Sequence, residues 1–297
     1  MPSLKEVRNR ITSVTSTQQI TKAMKMVAAA KLRKAQDAIT TMRPYAEKLD
    51  EILKNVSSSL DSSVDNPYGV ERDVNKVLVI VFSSDRGLCG AFNTNVFKTA
   101  KALIADKYQT QFEAGNVVVK TIGKKAFEHF ARFPEYTTDD SDYESYGDNA
   151  FDNFKAIAEK VMKSFVDGEY DAIELCYNEF KNAATQELRA ELFLPVVEEV
   201  DETLSYTPDP KDYIFEPSKE YIIEDLIPKS LKITFYKALL ESHASEHGSR
   251  MTAMDKATDN AGELLKDLKL TYNRARQAAI TTEILEIVGG AEALAAG

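Results

Sequence analysis

The residues with the greatest capacity for chemistry in this 297-residue chain are few. The run Ser83-Ser84-Asp85-Arg86-Gly87-Leu88-Cys89-Gly90 follows six consecutive apolar residues, 77–82, and precedes a helical pattern. Phosphate-cradling loops sit at such a strand-to-helix junction. This one lacks both the Gly-Lys-Ser/Thr ending of a P-loop and the three-glycine spacing of a dinucleotide loop, so it reads as a structural turn. Cys89 has no histidine near it in sequence to act as base, and a thiol packed at a strand end is the favoured reading. The three histidines are His129, His243 and His247. His243 and His247 are one helical turn apart, a spacing two metal ligands can use, but Ala244 stands where a metalloprotease has Glu. Ordinary helix histidines are the better account. No catalytic residue, metal site or cofactor is expected.

Composition narrows the remaining classes. Hydrophobic residues make up 43% and charged residues 28%, with a net charge of −10. The longest apolar run, 77–82, is too short to span a bilayer, so any membrane role is expected to be indirect. The N-terminus lacks the apolar core of a secretory signal. Cys89 and Cys176 are the two cysteines, read as free thiols in a reducing compartment. Residues 1–34 hold eight basic residues against one acid, Glu6. Such an arm suits nucleic acid or an acidic protein surface; a transit peptide is the weaker alternative, because a heptad runs through it.

That heptad begins at Leu4 and persists for some eight repeats. One seam runs Leu4, Ile11, Gln18, Lys25, Leu32, Ile39; the other runs Val7, Val14, Thr21, Ala28, Ala35, Met42. A 3,4 spacing sustained this far predicts a coiled-coil helix roughly 85 Å long. Pro44 lies within the pattern without changing its phase, which predicts a kink rather than an end. The polar seam residues Gln18, Thr21 and Lys25 leave two readings open: register-setting contacts within the pair, or a stretch that faces another protein.

The middle of the chain changes period. Strands are expected at 77–82, 117–122, 172–180 and 186–196, with helices at 95–105, 124–133 and 151–165 and an acidic loop around 139–148. This alternation predicts a Rossmann-like α/β domain with a mostly parallel sheet. Residues 198–217, acidic and proline-containing, read as a linker or extended loop. A second long helix is expected from near Pro228, with a seam through Met254, Ala257, Ala261, Leu264, Leu268 and Ala275, then a new stripe at Ile280, Ile284 and Ile287. The two terminal heptads have no partner of comparable length except each other. They are expected to pair antiparallel, with Leu32 near Leu264 or Leu268. The division expected is 1–60 for the first long helix, 61–218 for the α/β domain and loops, and 219–297 for the second long helix.

Three separated segments resemble one family. Gln277-Ala278-Ala279-Ile280-Thr281-Thr282-Glu283 and the residues after it to Ala291 are similar to the signature of rotary ATP synthase γ subunits. The run Ile20-Thr21-Lys22-Ala23-Met24-Lys25-Met26 matches that family too. So does Ser84-Asp85-Arg86-Gly87-Leu88-Cys89-Gly90, although the usual Gly-Leu that follows is Ala91-Phe92 here.

The resemblance implies a non-catalytic, asymmetric shaft that turns inside a ring of alternating α and β subunits and couples ATP chemistry to ion flow. Carried over by position, Met24, Arg250, Gln277, Thr281 and Glu283 would face β subunits. Tyr213, Ile214, Phe215 and Glu216 would meet the membrane-embedded c-ring. An ε subunit is a further implied partner, with no nucleic acid and no direct bilayer insertion. The absence of the chloroplast-type regulatory cysteine loop points to a bacterial chain at the cytoplasmic face of the inner membrane. Two other classes compete with this one: an α/β enzyme bearing a coiled-coil arm, and a nucleic-acid-binding coiled coil with salt-dependent affinity.

Overall fold

A computed structural model describes residues 3–58, 66–70, 72–142, 150–196 and 219–295. The chain divides into two compact units. One joins the residues up to Ala28 with those from Arg250 onward; the other spans Ala29–Ser249.

The Ala29–Ser249 unit is built on a five-stranded sheet in the order β3-β2-β1-β4-β5. Its strands are β1 (Val77–Phe82), β2 (Val117–Ile122), β3 (Thr137–Asp139), β4 (Ala172–Phe180) and β5 (Gln186–Leu194). The first four run parallel, with Val77 in register with both Val117 and Ala172, and β5 returns antiparallel beside β4. Successive side chains of a strand point to opposite faces, so a strand covered on both sides reads as an unbroken apolar run. β1 is such a strand. Its Leu78, Ile80 and Phe82 pack with Phe154, Ile157, Val161 and Phe165 of α5 (Ala150–Val166) and with Phe235 and Leu239. Its Val77, Val79 and Val81 pack with Val96, Ala100 and Ile104 of α2 (Phe92–Lys107) and with Ala126 and Phe130 of α4 (Lys124–Phe130). The short α3 (Gln109–Glu113) follows α2. The expected α/β domain is therefore present, and β3 and α3 are additions to it. β3 is three residues long and emerges at the start of the expected acidic loop, where Lys120 holds Asp139 at 2.6 Å.

Two long helices contribute to both units. The first, α1, runs Leu4–Ser58 with Pro44 inside it; the second, α6, runs Lys219–Ala295. α6 starts at Lys219, at the boundary of the expected division, so Pro228 lies within the helix instead of opening it. Proline removes one helical N–H and crowds the preceding turn, which the remaining turns tolerate here.

In the terminal unit the helices are antiparallel. Arg8 donates to the hydroxyl of Tyr272, Gln18 to the carbonyl of Thr258, and Lys25 to Asp255. The α1 seam is as expected, with Val7, Thr21 and Ala28 buried. The α6 seam differs at two positions. At the first, Leu265 is buried at 8% exposure while Leu264 is 48% exposed. Thr258 belongs to the seam in place of Ala257, and its hydroxyl is satisfied by Thr21 at 2.8 Å. With this polar residue included, the seam keeps its 3,4 spacing through Met254, Thr258, Ala261, Leu265 and Leu268. Gly262 approaches Gln18, so Leu264 and Leu268 lie along the stretch of α1 between Arg8 and Gln18. Within the Ala29–Ser249 unit, Leu32, Ile39 and Leu49 continue the buried α1 seam.

Candidate functional site

The loop after β1 is filled by its own side chains. Asn93 accepts from the Ser84 N–H at 3.0 Å and donates to the Ser84 hydroxyl at 2.8 Å. The hydroxyl of Ser83 accepts the Ala126 N–H, and the Asp85 carboxylate accepts the Lys124 N–H, so both cap the start of α4. Gly123 has φ +95 and lies so close to the Ser83 carbonyl that a Cβ would stand 2.2 Å from it. These contacts spend the loop's polar groups on the fold. Cys89 is buried, with its sulfur 3.3 Å from the Asn93 amide, and Phe92 is buried as well. Cys176 is also buried, and burial pushes its thiol far up, away from thiolate chemistry. Leu88 is an exception to the inward arrangement: it is exposed and holds a positive φ of 63.

The histidines serve packing. His129 stacks on Phe97 at 4.4 Å between ring centroids. Burial, with His247 and Lys31 nearby, pushes His243 down to about 3, so the ring is neutral. Among the described residues no group of three or more His, Cys, Asp or Glu is placed to hold a metal ion.

What the molecule presents instead is surface on the terminal unit. The polar seam turns inward: Thr21 and Thr258 pair through their hydroxyls, and Lys25 and Asp255 form a half-exposed ion pair. Such a pair contributes little energy, about 0–1 kcal/mol, but fixes which turns of the two helices meet. This favours the register-setting reading. Beside the seam on α1, Ile20, Met26 and Val27 are exposed. On α6, Tyr272 meets Arg8 near the start of α1, and every residue from Arg276 to Glu292 is exposed. Ile280, Ile284, Leu285, Ile287 and Val288 form an apolar stripe on that stretch, with Ile287 67% exposed. A contiguous apolar stripe on a helix without a covering partner marks an interaction surface.

The residues expected to face β subunits fall on this unit. Met24 and Arg250 are half-buried, while Gln277, Thr281 and Glu283 are exposed on the unpaired part of α6. Thr281 turns its hydroxyl back to the Gln277 carbonyl at 2.9 Å. The expected ring-contact residues Tyr213, Ile214, Phe215 and Glu216 lie outside the described residues. No described helix is long and apolar enough to cross a membrane.

These features match known proteins along nearly the whole chain. Residues 3–294 match the family described as ATP synthase. The ATP synthase gamma chain of Cytophaga hutchinsonii is 58% identical, with 99% of each chain covered. A chain from the central stalk and c-ring structure of Tetrahymena thermophila mitochondrial ATP synthase is 26% identical, with a TM-score of 0.54 over 80% of this chain and 99% of that one. A chain of the Euglena gracilis mitochondrial ATP synthase matches with a TM-score of 0.67 at 23% identity, over 99% and 95% of the two chains, and so shares the fold. The chain belongs to the ATP synthase gamma chain family, a non-catalytic, central-stalk subunit of the rotary ATP synthase.

Proposed function

We propose that this chain is the rotor shaft that couples ion translocation through a membrane sector to ATP synthesis and hydrolysis at β subunits. The observation that carries the reading is the apolar stripe Ile280–Val288 on a part of α6 that no α1 residue covers. A stripe of that kind calls for an apolar covering partner. A ring of alternating α and β subunits supplies one that also permits turning. Met24, Arg250, Gln277, Thr281 and Glu283 are the proposed β-subunit contacts. As an asymmetric shaft rotates, it presents different faces to each β subunit and drives the catalytic sites through open and closed states in turn.

The working division is 1–60 and 219–297 for the shaft helices and 61–218 for the α/β foot with its loops. Tyr213, Ile214, Phe215 and Glu216 are the proposed contacts to the membrane c-ring. An ε subunit completes the rotor, and the assembly belongs on the cytoplasmic face of a bacterial inner membrane. The eight bases among residues 1–34 suit an acidic surface on the surrounding ring.

The reading is tested by placing Asp at both Tyr213 and Phe215. The detached soluble complex is expected to assemble with α, β and ε and hydrolyse ATP normally, while membranes lose ATP-driven ion pumping. Normal pumping by the double variant removes this segment from the interface. Failure of the wild-type chain to co-purify with α and β defeats the reading as a whole.

A further inference from the structure

We propose that Glu241 is a mechanical node that locks both long helices to the β4–β5 hairpin, so that torque passes between the helices and the foot through this carboxylate. The proposal rests on the rotor reading above.

Glu241 is 1% exposed, and each of its oxygens has a different anchor. Oε2 accepts the backbone N–H of Phe180, the last residue of β4, at 3.0 Å. Oε1 accepts from the Arg43 guanidinium of α1 at 3.3 Å. A single side chain of α6 therefore joins three elements that are far apart in sequence.

The turns of α6 that follow extend the same stripe. Ser245 donates to the Asn178 carbonyl at 2.9 Å, and Ser249 donates to the Gln186 side-chain oxygen at 2.8 Å. Gly248 lies between them, close enough that a Cβ would stand 3.2 Å from the Phe180 ring and 3.3 Å from Ala183. The positions 241, 245 and 248–249 recur at helical spacing and share one face. The hairpin they grip is itself stiff: Asn182 and Thr185 exchange backbone hydrogen bonds across its turn, and the Asn182 side-chain oxygen accepts the Ala184 N–H and shares that of Thr185.

The chemistry of this face distinguishes it from the rest of the α6 contact with the sheet. Phe235 and Leu239 make apolar contacts, which have no preferred direction and resist sliding or rolling only through shape. Hydrogen bonds to backbone atoms are directional and weaken steeply when the angle opens. They set both the axial position and the rotational setting of the helix. A buried carboxylate held by a guanidinium and an amide is the strongest of these anchors.

The test uses the assembled enzyme with its catalytic head immobilised and a rotation probe on the α/β foot. Arg43→Met removes the α1 anchor at a half-exposed site and leaves the Phe180 bond; Glu241→Leu removes both; Glu241→Gln keeps an acceptor of the same shape. ATP hydrolysis by the detached complex is expected to stay at the wild-type rate for all three. The angular variance of the probe at each dwell is expected to rise for Arg43→Met, which loses the α1 contact of Glu241, and to rise further for Glu241→Leu, which loses both of its contacts. Glu241→Gln should fall between wild type and Glu241→Leu, and pumping per ATP hydrolysed should drop in the same order. Unchanged probe variance in Arg43→Met overturns the proposal, and this variant decides the matter even where Glu241→Leu fails to accumulate. A wild-type foot that does not rotate against the head overturns the rotor reading, and the node with it.

Discussion

Replacing Thr21 and Thr258 by Val, singly and together, tests whether the polar layer of the terminal unit is an internal contact. The hydroxyls are 2.8 Å apart, and each also reaches a carbonyl of its own helix: Thr21 that of Gln18 at 3.0 Å, Thr258 that of Met254 at 2.7 Å. Two hydroxyl protons serve these three contacts, so one hydroxyl donates across the interface and the other donates along its own helix. A single Val removes the cross-helix bond and leaves the remaining hydroxyl facing a methyl group, although its own-helix carbonyl still offers it a partner. Each single substitution is therefore expected to cost about 1 kcal/mol. The double variant removes both polar groups and places two methyl groups together, recovering most of that loss, so its expected net effect is near zero. The coupling read from the cycle, the double's cost less that of the two singles, is then about 2 kcal/mol in magnitude. Amide hydrogen exchange along residues 250–265 of α6 reports local opening in this unit and is the suitable assay. Additive destabilisation in the double variant refutes the pairing. Loss of ATP-driven pumping by a double variant with unchanged exchange would show instead that the two hydroxyls serve an external partner.

Three further outcomes are expected. Phe235→Ala empties a fully buried site bounded by Phe82, Phe154 and Phe193, and should lower unfolding stability by about 3–5 kcal/mol in chemical denaturation, while Phe235→Leu should cost distinctly less. His243 sits at about 3, below the ordinary value of 6.5, because burial disfavours its charged form; the unfolded chain therefore takes up a proton that the folded one refuses, and stability should fall as pH drops from 6.5 towards 3. Replacing His243 by Leu should flatten that slope in urea titrations across the same range, and an unchanged slope would exclude the residue as its source. Met24→Lys, at a half-buried position of the proposed β-facing surface, should leave the fold intact and reduce pumping more than hydrolysis; equal pumping by the assembled variant would count against Met24 as a contact.

Much of the architecture could be read from periodicity because the chain writes it redundantly. The α1 seam survives three polar interruptions, since Val7, Val14, Ala28 and Leu32 hold the phase around them. β1 was plain because burial on both faces demands six apolar residues in a row. Periodicity places Ala257 and Leu264 on the α6 seam because Thr258, a seam residue, looks like surface; the seam instead uses Thr258 and Leu265. β3 is too short to carry a period, and its place is set by the contact of Lys120 with Asp139, a pairing between strands that local sequence does not encode. Periodicity points to Pro228 as the start of α6 because proline is a good opening residue, whereas the helix runs from Lys219. The anchors of Glu241 were illegible for a related reason. One of them is a backbone amide, which leaves no trace in residue identity.

The uncovered stripe from Ile280 to Val288 also bears on how the chain survives before assembly. A helix that displays five large apolar residues to water offers what chaperones bind and what proteases and aggregates exploit. A newly made copy without a host is therefore short-lived or held by a chaperone, and its persistence depends on how soon a collar closes around it. Over-production of this subunit alone should yield degraded or insoluble material, whereas balanced synthesis with its collar yields a durable one. On the rotor reading, incorporation covers the stripe, so free copies are the ones expected to meet such triage.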